Sequence, residues 1–381
     1  MKESYPLFKV HYDLDAVLDG IRNVFESGFI NEGEQVIQFA DRLKDLLGSE
    51  QLITVNSCTS ALTMALRLAG VGPGDEVITS PMTCIASNTP IINAGADIVW
   101  ADIDADSASI SADDIKAKIT PRTKAVICVD WAGTPVELDT LWQVCKDVGV
   151  PLIQDAAHAF GAQYKDESIA LRADYTCYSF QAIKHISCGD GGALVVHDPE
   201  RFSLAKKLKW FGYDREASKD EKGNWKGQRW DADIEVGEVG YKFNMNNISA
   251  AIGLSQLPHA DRIVGTHRSN AAKFDEAFSD NNLIRPLTRP KGSVSSFWVY
   301  TVMLSEHLDR DAILEKLNAE NILAGLVHLP NDDYSCFTKY KMDLAGVKRF
   351  AAHQLSLPCG WWLGELDIAH IASRLKAHCE A

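Results

Sequence analysis

Several features that would assign a protein to a class are missing from this sequence. There is no Cys-x-x-Cys pair, and the nine cysteines are odd in number and scattered, which disfavours a zinc site and a secreted disulfide framework. Residues 1–6 lack the apolar segment of a signal peptide, and no apolar run is long enough to span a bilayer. We therefore expect a reduced, cytoplasmic protein that binds neither a membrane nor a metal.

Basic residues are also in the minority. The chain has 38 lysines and arginines against 52 aspartates and glutamates, and its formal net charge is −14. This charge repels nucleic-acid phosphates at long range, and the sequence has no basic or helix-turn-helix appendage, so we predict no nucleic-acid partner. An anionic small ligand is still compatible with it, because a helix N-terminus and a few local cations can outweigh a distant net charge.

The order of the apolar segments indicates a largely parallel sheet. With 381 residues, the chain exceeds the size of one hydrophobic core, so two domains are expected. In the first two-thirds, short apolar runs alternate with helical patterns, which is typical of βαβ units. The predicted strands are 76–79, 97–100, 125–129, 151–154, 175–179 and 193–196. The clearest predicted helix is 59–69, capped by Ser57 or Thr59 and ended by Gly70.

The pattern changes in the last third of the chain. The polar stretch 214–228 is rich in Lys, Asp and Gly and predicts a surface loop. Longer amphipathic helices with fewer buried strands follow Pro258, so we place a large domain at 1–257 and a smaller C-terminal domain at 258–381. The elements predicted here are a helix over 245–257, a strand over 297–304 and a helix over 310–320.

Three segments place polar residues at predicted strand ends, where open α/β sheets bind ligands. In the first, an apolar run ends at Asp155, and His158 follows three residues later. A buried carboxylate needs a cation or an N–H group as its partner. Taken alone, a helix-capping aspartate and a core histidine are the better interpretation of this pair.

The second segment opens the predicted helix 59–69 with small hydroxyl residues. The free N–H groups and the dipole of a helix start suit a phosphate, and Thr59 and Ser60 would add two hydroxyl donors. Ordinary N-capping explains the same residues equally well.

The third segment, Ser-Phe-Gln-Ala-Ile-Lys-His-Ile-Ser-Cys-Gly-Asp-Gly-Gly over 179–192, sets Lys184 and His185 side by side before a glycine-rich turn. A lysine in a tight turn among apolar residues is desolvated, which lowers its pKa and makes it nucleophilic. The usual alternative is a lysine that extends to solvent, and the glycines alone are compatible with a simple hairpin bend.

Together the three segments describe one ligand. They supply a phosphate site, a carboxylate for a ring nitrogen and a nucleophilic lysine, which is the set that pyridoxal phosphate (PLP) requires. Their joint occurrence is far more specific than any one of them.

The order and spacing of the motifs resemble the DegT/StrS-type sugar aminotransferases, a family of fold-type-I PLP enzymes, over nearly the whole chain. This resemblance implies an α/β fold: a three-layer α/β/α large domain with a mixed, mostly parallel sheet, and a smaller C-terminal α+β domain. The similar segments are Ser-Gly-Phe-Ile-Asn-Glu-Gly at 27–33, Asn-Ser-Cys-Thr-Ser-Ala-Leu at 56–62, Gly-Pro-Gly-Asp-Glu-Val at 72–77, Pro-Met-Thr-Cys at 81–84, Asp-Ala-Ala-His-Ala-Phe-Gly at 155–161, the segment 179–192 and Gly-Tyr-Lys-Phe-Asn-Met at 240–245.

The resemblance also implies a role for each matching residue. Lys184 would form the Schiff base with PLP and shuttle the proton during catalysis, while Asp155 would keep the ring nitrogen protonated. His158 would lie near the 3-hydroxyl of the ring. Lys242 or Asn244 would reach the phosphate of the partner subunit, in a homodimer with shared active sites. The residues that would bind the phosphate within the chain are Thr59, Ser60 and Ser179.

This sequence departs from the family pattern at several of these positions. Cys58 stands where glycine is usual, Asp190 replaces the common glutamate, and Cys84 stands where many members place an aromatic ring against the cofactor. A thiol packs less area than an aromatic ring, so either another residue stacks there or the ring is held differently. In the segment 327–334, His328 is retained from a motif that helps to form the sugar pocket.

A small branch of the family replaces the lysine with histidine and dehydrates keto-sugars with pyridoxamine phosphate (PMP). Here Lys184 occupies the lysine position, the sixth residue counted from Ser179, and His185 is one position late. Transamination is therefore favoured, and His185 is expected to be structural or to contact the substrate.

The implied function is a PLP-dependent ping-pong aminotransferase. It would take the amino group of L-glutamate, release 2-oxoglutarate and aminate a nucleotide-linked keto-sugar, a 4-keto-6-deoxy hexose, for lipopolysaccharide, O-antigen, capsule or glycan assembly. Two alternatives use the same scaffold: a PMP-dependent dehydratase, and an aminotransferase acting at C3 or on a sugar without a nucleotide. Alternatives of other classes are a non-catalytic sensor with a PLP fold and a cysteine enzyme built on Cys58, Cys84 or Cys188, although no cysteine has an evident base.

Overall fold

The centre of the structure is a seven-stranded sheet with helices on both faces. The computed structural model describes residues 2–215 and 236–381. The strands in these ranges are β1 Leu52–Val55, β2 Glu76–Thr79, β3 Asp97–Trp100, β4 Thr123–Val129, β5 Leu152–Asp155, β6 Gln163–Tyr164, β7 Glu167–Ser168, β8 Tyr175–Ser179, β9 Gly192–Val196, β10 Ile284–Pro286, β11 Ser293–Val294, β12 Tyr300–Leu304 and β13 Gln354–Leu357. The α-helices are α1 Leu14–Ser27, α2 Glu34–Leu47, α3 Cys58–Leu68, α4 Ile85–Asn93, α5 Ala112–Lys118, α6 Leu138–Asp147, α7 Pro199–Leu208, α8 Asn247–Gln256, α9 Ala260–Phe278, α10 Arg310–Ala319, α11 Ala345–His353 and α12 Glu365–Glu380.

The large sheet has the strand order β1-β9-β8-β5-β4-β2-β3. Strands β8, β5, β4, β2 and β3 pair in parallel, and β9 runs antiparallel to both β8 and β1. All six strands predicted for the first two-thirds of the chain are present, with ends shifted by at most two residues. The α/β class and the mixed, mostly parallel sheet are therefore confirmed, and β1 is the one strand of this sheet that the sequence pattern missed.

Alternate residues of the central strands face two different hydrophobic cores. In β4, Ile127 belongs to one apolar cluster and Val126 to the other, and Ile153 and Leu152 of β5 are divided in the same way. A strand that is buried on both faces has an almost continuous apolar sequence, which explains why these strands were visible as short apolar runs. The two clusters make this part of the chain a three-layer α/β/α arrangement.

Helix α3 begins immediately after β1 and packs against the sheet. The Ser57 hydroxyl oxygen accepts a hydrogen bond from the Ser60 N–H at 3.1 Å, so Ser57 is the N-cap and the helix begins one residue earlier than predicted. Eight of its eleven residues are buried. Just beyond its end, Gly70 has φ +78°, a left-handed conformation that glycine adopts without strain.

A second sheet, with the order β10-β12-β13, lies in the C-terminal part of the chain. Helices α9, α10 and α12 contribute to a third apolar cluster with it, and Tyr5 from the N-terminal region joins the same cluster. Helix α9 begins at Ala260, close to the predicted domain boundary at 257/258, which itself stays a prediction. A third, small sheet joins β11 to β6 and β7.

The predicted C-terminal elements are present with shorter bounds. Strand β12 begins at Tyr300 rather than at residue 297, because Phe297 has φ +49° and the N–H groups of Ser296 and Trp298 bond to Gly133 and Ala132. Helices α8 and α10 correspond to the predictions over 245–257 and 310–320. Of the predicted loop 214–228, only the first two residues lie within the described ranges. In those ranges, no helix has the length and apolar character needed to cross a membrane.

Candidate active site

The three predicted strand-end segments surround one cavity of about 320 Å³. Asp155 at the end of β5 and Ser179 at the end of β8 line it, together with the start of α3 and the start of α4. Trp298 and His328 close it from the C-terminal third of the chain. The predicted site residues that line the cavity are Thr59, Cys84, Asp155, His158, Ser179, Lys184 and His328.

Lys184 lies in the turn after β8, where its backbone N–H bonds to the Gln181 carbonyl at 2.9 Å. Its ammonium nitrogen is 3.8 Å from the centroid of the Trp298 ring. Lys184 is half-buried because it lines the cavity. Desolvation nevertheless lowers the pKa of its ammonium group to about 8. The negative charge of Asp155 raises this pKa and so opposes the shift only in part. An amine with this pKa has a substantial neutral, nucleophilic fraction near neutral pH.

Asp155 is a buried carboxylate, 4% exposed, with partners on both oxygens. Oδ2 accepts a hydrogen bond from the Ser87 hydroxyl at 2.7 Å. Oδ1 accepts from the Ala157 N–H at 3.0 Å and faces the Cys58 thiol at 3.8 Å. Desolvation raises the pKa of Asp155, and the Ser87 hydrogen bond is the largest influence that lowers it.

The lone pairs of Asp155 leave room for one more donor. An ionised carboxylate has about four acceptor positions, and the three protein donors occupy two on Oδ1 and one on Oδ2. The remaining position belongs to Oδ2, and Asp155 lines the cavity. The alternative that Asp155 caps a helix does not hold, because a turn and not a helix follows β5.

His158 forms part of an aromatic stack on the cavity wall. Its ring lies 3.9 Å from the Trp298 ring, at 17° between the planes, and its Nε2 is 3.4 Å from Nε2 of His328. Burial, aided by the Lys184 charge, lowers the pKa of His158 well below its usual value, so the imidazole is neutral. Its buried Nδ1 has no hydrogen-bond partner among the described residues.

The N-terminus of α3 contributes Ser57 and Thr59 to the lining of the cavity. A Cβ atom on Gly192 would come within 2.5 Å of the Ser57 backbone, so glycine is required where β9 passes the start of the helix. The glycine-rich turn therefore connects the antiparallel strands β8 and β9 and also lets β9 pass close to the start of α3. The Ser60 hydroxyl donates to Asn56 at 2.6 Å instead of lining the cavity.

Three other predicted residues also lie outside the cavity. His185 is buried on the far side of the turn, with Nε2 3.0 Å from the Ser296 carbonyl oxygen and its ring 4.8 Å from His267. Lys242 and Asn244 lie along a separate surface depression or directly beside it. The Lys242 ammonium is 3.8 Å from the Trp210 ring centroid, and Asn244 donates to Asn31 at 3.1 Å.

Sequence patterns missed three residues that shape this cavity. Ser57 belongs to the motif at 56–62, where the sequence indicates only a capping role for it. Ser87 lies in the first turn of α4, where nothing in the local sequence distinguishes it from a surface serine. Trp298 follows Lys184 by more than one hundred residues, and a contact at that separation has no signature in a single sequence.

Comparison with known proteins identifies the family of this chain. The profile of the DegT/DnrJ/EryC1/StrS aminotransferase family matches residues 14–376. The chain belongs to this family. The aminotransferase is 33% identical over 367 residues to the spore coat polysaccharide biosynthesis protein SpsC of Bacillus subtilis, an alignment that covers 93% of this chain and 92% of SpsC.

Solved structures place the aminotransferase among the sugar aminotransferases. The sugar aminotransferase CalS13 from Micromonospora echinospora superposes with a TM-score of 0.91 at 31% identity, covering 98% of this chain and 99% of CalS13. Spr1654 from Streptococcus pneumoniae, solved in its PLP form, superposes with a TM-score of 0.89 at 25% identity and 99% coverage of both chains. A PMP form of Spr1654 is also known. This chain is a PLP-dependent sugar aminotransferase, as the motifs implied.

The cavity of the aminotransferase fits PLP at three points. The fourth acceptor position of Asp155 suits a ring N–H. The α3 N-terminus, which lines the same cavity, offers backbone N–H groups and the hydroxyls of Ser57 and Thr59 to an anionic group. Lys184, whose ammonium pKa is lowered to about 8, completes the set.

Proposed function

We propose that this aminotransferase transfers the amino group of L-glutamate to the ketone of a nucleotide-linked sugar, a 4-keto-6-deoxy hexose. The observation that carries the amino-transfer chemistry of this proposal is a desolvated lysine amine in the same cavity as a buried carboxylate with one unused acceptor position. The name of the relative SpsC supports the further proposal that the product enters a surface polysaccharide, such as lipopolysaccharide with its O-antigen.

Bound PLP would supply a carbonyl that accepts amines and a ring that withdraws electrons from the reacting carbon. Lys184 would contribute the amine that holds the cofactor and would carry a proton on Nζ between the cofactor and the substrate carbon. Asp155 would accept the ring N–H, and the desolvated surroundings would strengthen that interaction. Ser57, Thr59 and Ser179 would hold the phosphate.

The histidines would have different tasks. His158 would present its unpartnered Nδ1 to the cofactor or substrate, because nothing in the described protein uses that atom. His328 would contact the substrate from the mouth of the cavity, and it contacts His158 through Nε2. His185 faces away from the cavity and would act through the position of Lys184, its neighbour in the chain. Cys84 lines the cavity, where it would contact the cofactor.

A homodimer is part of the proposal. Helix α1 and the residues after it expose large apolar side chains at Leu14, Leu18, Phe25, Phe29 and Ile30. Such a patch is typical of a surface that another subunit covers. Lys242 lines the depression beside Ile30, and Asn244 donates to Asn31 of the same depression; from there one of them would reach the partner's phosphate site. The nine cysteines are all free, which supports a reducing cytoplasm as its location.

The test separates the two half-reactions. The PLP form is mixed with L-glutamate, and the PMP form is then offered UDP-, GDP- and dTDP-linked keto-sugars while 2-oxoglutarate and the sugar product are identified by mass spectrometry. Stoichiometric 2-oxoglutarate followed by an amino-sugar supports the proposal. A sugar that has lost its 3-hydroxyl without gaining nitrogen would instead identify a dehydratase and refute it.

A lysine variant with a matched control locates the chemistry. Lys184→Ala should abolish both half-reactions, whereas Lys116→Ala, which changes an exposed lysine paired with exposed Asp113 on α5, should leave them unchanged. Full activity in the Lys184 variant would contradict the assignment.

A further inference from the structure

The Asp155 carboxylate is supported by a short chain of buried hydroxyl groups. The Ser87 Oγ is 2.7 Å from Asp155 Oδ2, and the Thr83 Oγ1 is 2.9 Å from the Ser87 Oγ. Both hydroxyl residues are only 1% exposed. Asp155 has only acceptors when ionised, so Ser87 donates to it, and the Thr83 hydroxyl is then left to donate to Ser87.

The backbone around both hydroxyl groups is fixed by contacts with other parts of the chain. Ser87 lies in the first turn of α4, and Thr83 precedes that helix, so the pair spans the helix start. The Asn331 amide, from the C-terminal part of the chain, donates to the Thr83 carbonyl at 2.8 Å and also bonds to Asn88 at 2.8 Å. The backbone that carries the two hydroxyls is thereby fixed by buried, fully paired amides.

We propose that Ser87, oriented by Thr83, is a positioning residue that keeps Asp155 ionised and turns its unused acceptor position toward the cofactor ring nitrogen. This proposal rests on the role given above to Asp155. The Ser87 bond is the one hydroxyl bond to that carboxylate among the described residues, and the other two donors, an N–H and a thiol, both act on Oδ1. Ser87 therefore determines the orientation of Oδ2 and the stability of its charge.

Removal of the Ser87 donor would have a specific effect on the charge of Asp155. A hydrogen bond from a neutral donor to a buried carboxylate stabilises the charged form, and a thiol donates more weakly than a hydroxyl. Without the Ser87 donor, the proton shared with the ring nitrogen would move toward Asp155. The nitrogen would lose positive charge, and the affinity for PLP would fall roughly tenfold to hundredfold.

The experiment measures the ring nitrogen directly. The proteins are loaded with PLP carrying ¹⁵N in the ring, and the ¹⁵N resonance is recorded at one pH for the wild type, Ser87→Ala, Thr83→Val, Ser80→Ala and Asp155→Asn. The expected result is a protonated-nitrogen resonance in the wild type that moves toward the neutral-pyridine position in Ser87→Ala, and in the same direction by less in Thr83→Val.

Ser80→Ala is the matched control. Ser80 is another buried serine, between β2 and α4; within the described residues its hydroxyl accepts from the Met82 N–H and does not contact Asp155. Its removal should leave the resonance unchanged. A purely packing role for Ser87 would lower the melting temperature without moving the resonance, so an unmoved resonance in folded Ser87→Ala overturns the proposal. If that variant does not fold, an unmoved resonance in Thr83→Val overturns it.

The Asp155→Asn variant distinguishes this failure from failure of the proposed site. A resonance that moves in Asp155→Asn but not in the Ser87 or Thr83 variants refutes only the hydroxyl chain. A resonance that does not move even in Asp155→Asn refutes the assignment of Asp155 itself.

Discussion

Trp298 supports both Lys184 and His158, and its replacement is the most informative perturbation of the site. The indole is 2% exposed. Its N–H donates to the Ile183 carbonyl at 2.7 Å, immediately before Lys184 in the chain. One face stacks on His158 at 3.9 Å, and the Lys184 ammonium lies 3.8 Å from the ring centroid. Trp298→Phe keeps an aromatic ring but removes the N–H, whereas Trp298→Leu removes both.

The expected magnitudes follow from these contacts. Loss of the hydrogen bond lowers the free energy of unfolding by about 1 kcal/mol. The smaller ring leaves a gap that adds ~1–2 kcal/mol, so Trp298→Phe should destabilise the apoprotein by roughly 2–3 kcal/mol. Trp298→Leu also loses the ring stacking and the cation–π contact, worth about 1 kcal/mol each. Urea unfolding of the two apoproteins measures the difference.

A second readout shows whether Trp298 acts on the site as well as on the fold. The hydrogen bond from the Trp298 N–H to the Ile183 carbonyl holds the turn that carries Lys184. Loss of this bond should therefore weaken PLP binding about tenfold, measured by fluorescence titration. Trp361→Phe is the control, since its N–H donates to the Lys9 carbonyl at 3.0 Å without touching His158 or Lys184. Our account of the cavity wall is wrong if Trp298→Phe unfolds and binds PLP like the wild type.

Four further predictions use other features of the structure. Gly192→Ala should perturb the start of α3 and weaken phosphate binding, measured as PLP affinity, because its Cβ would come within 2.5 Å of the Ser57 backbone. In the apoprotein, Lys184 should react with an amine-directed acylating reagent with a midpoint near pH 8, because only the neutral amine is nucleophilic. The stability of the apoprotein relative to Lys184→Met should rise between about pH 8 and 10, since the unfolded lysine binds the proton more tightly there than the folded one. Asn331→Ala should lower the free energy of unfolding by roughly 2–4 kcal/mol, because it leaves buried partners unpaired, whereas Asn282→Ala on the surface should change it little in the same urea titration.

Asp155 and Lys184 were predictable because each follows an apolar run at the carboxyl end of a strand, where α/β sheets bring ligands together. Strand β1 was missed, although β2, β3 and β5, which were predicted, also have four residues. Thr59 and Ser60 belong to the same motif, and the sequence predicts phosphate binding for both. In the structure only Thr59 of the two lines the cavity, because the Ser60 hydroxyl donates to Asn56.

Local sequence determined the strands, the capped helix α3 and the order of the site segments, because apolar periodicity, caps and glycine turns depend on neighbouring residues. The order of these segments along the chain also identifies the family and, through the family, the cofactor. Tertiary structure alone decided that Ser87 would donate to Asp155, that Trp298 would lie beneath Lys184 and that His185 would face away from its neighbour. These contacts join residues far apart in the chain, or depend on the direction of one turn, so they follow from the packing of the whole sheet and its helices.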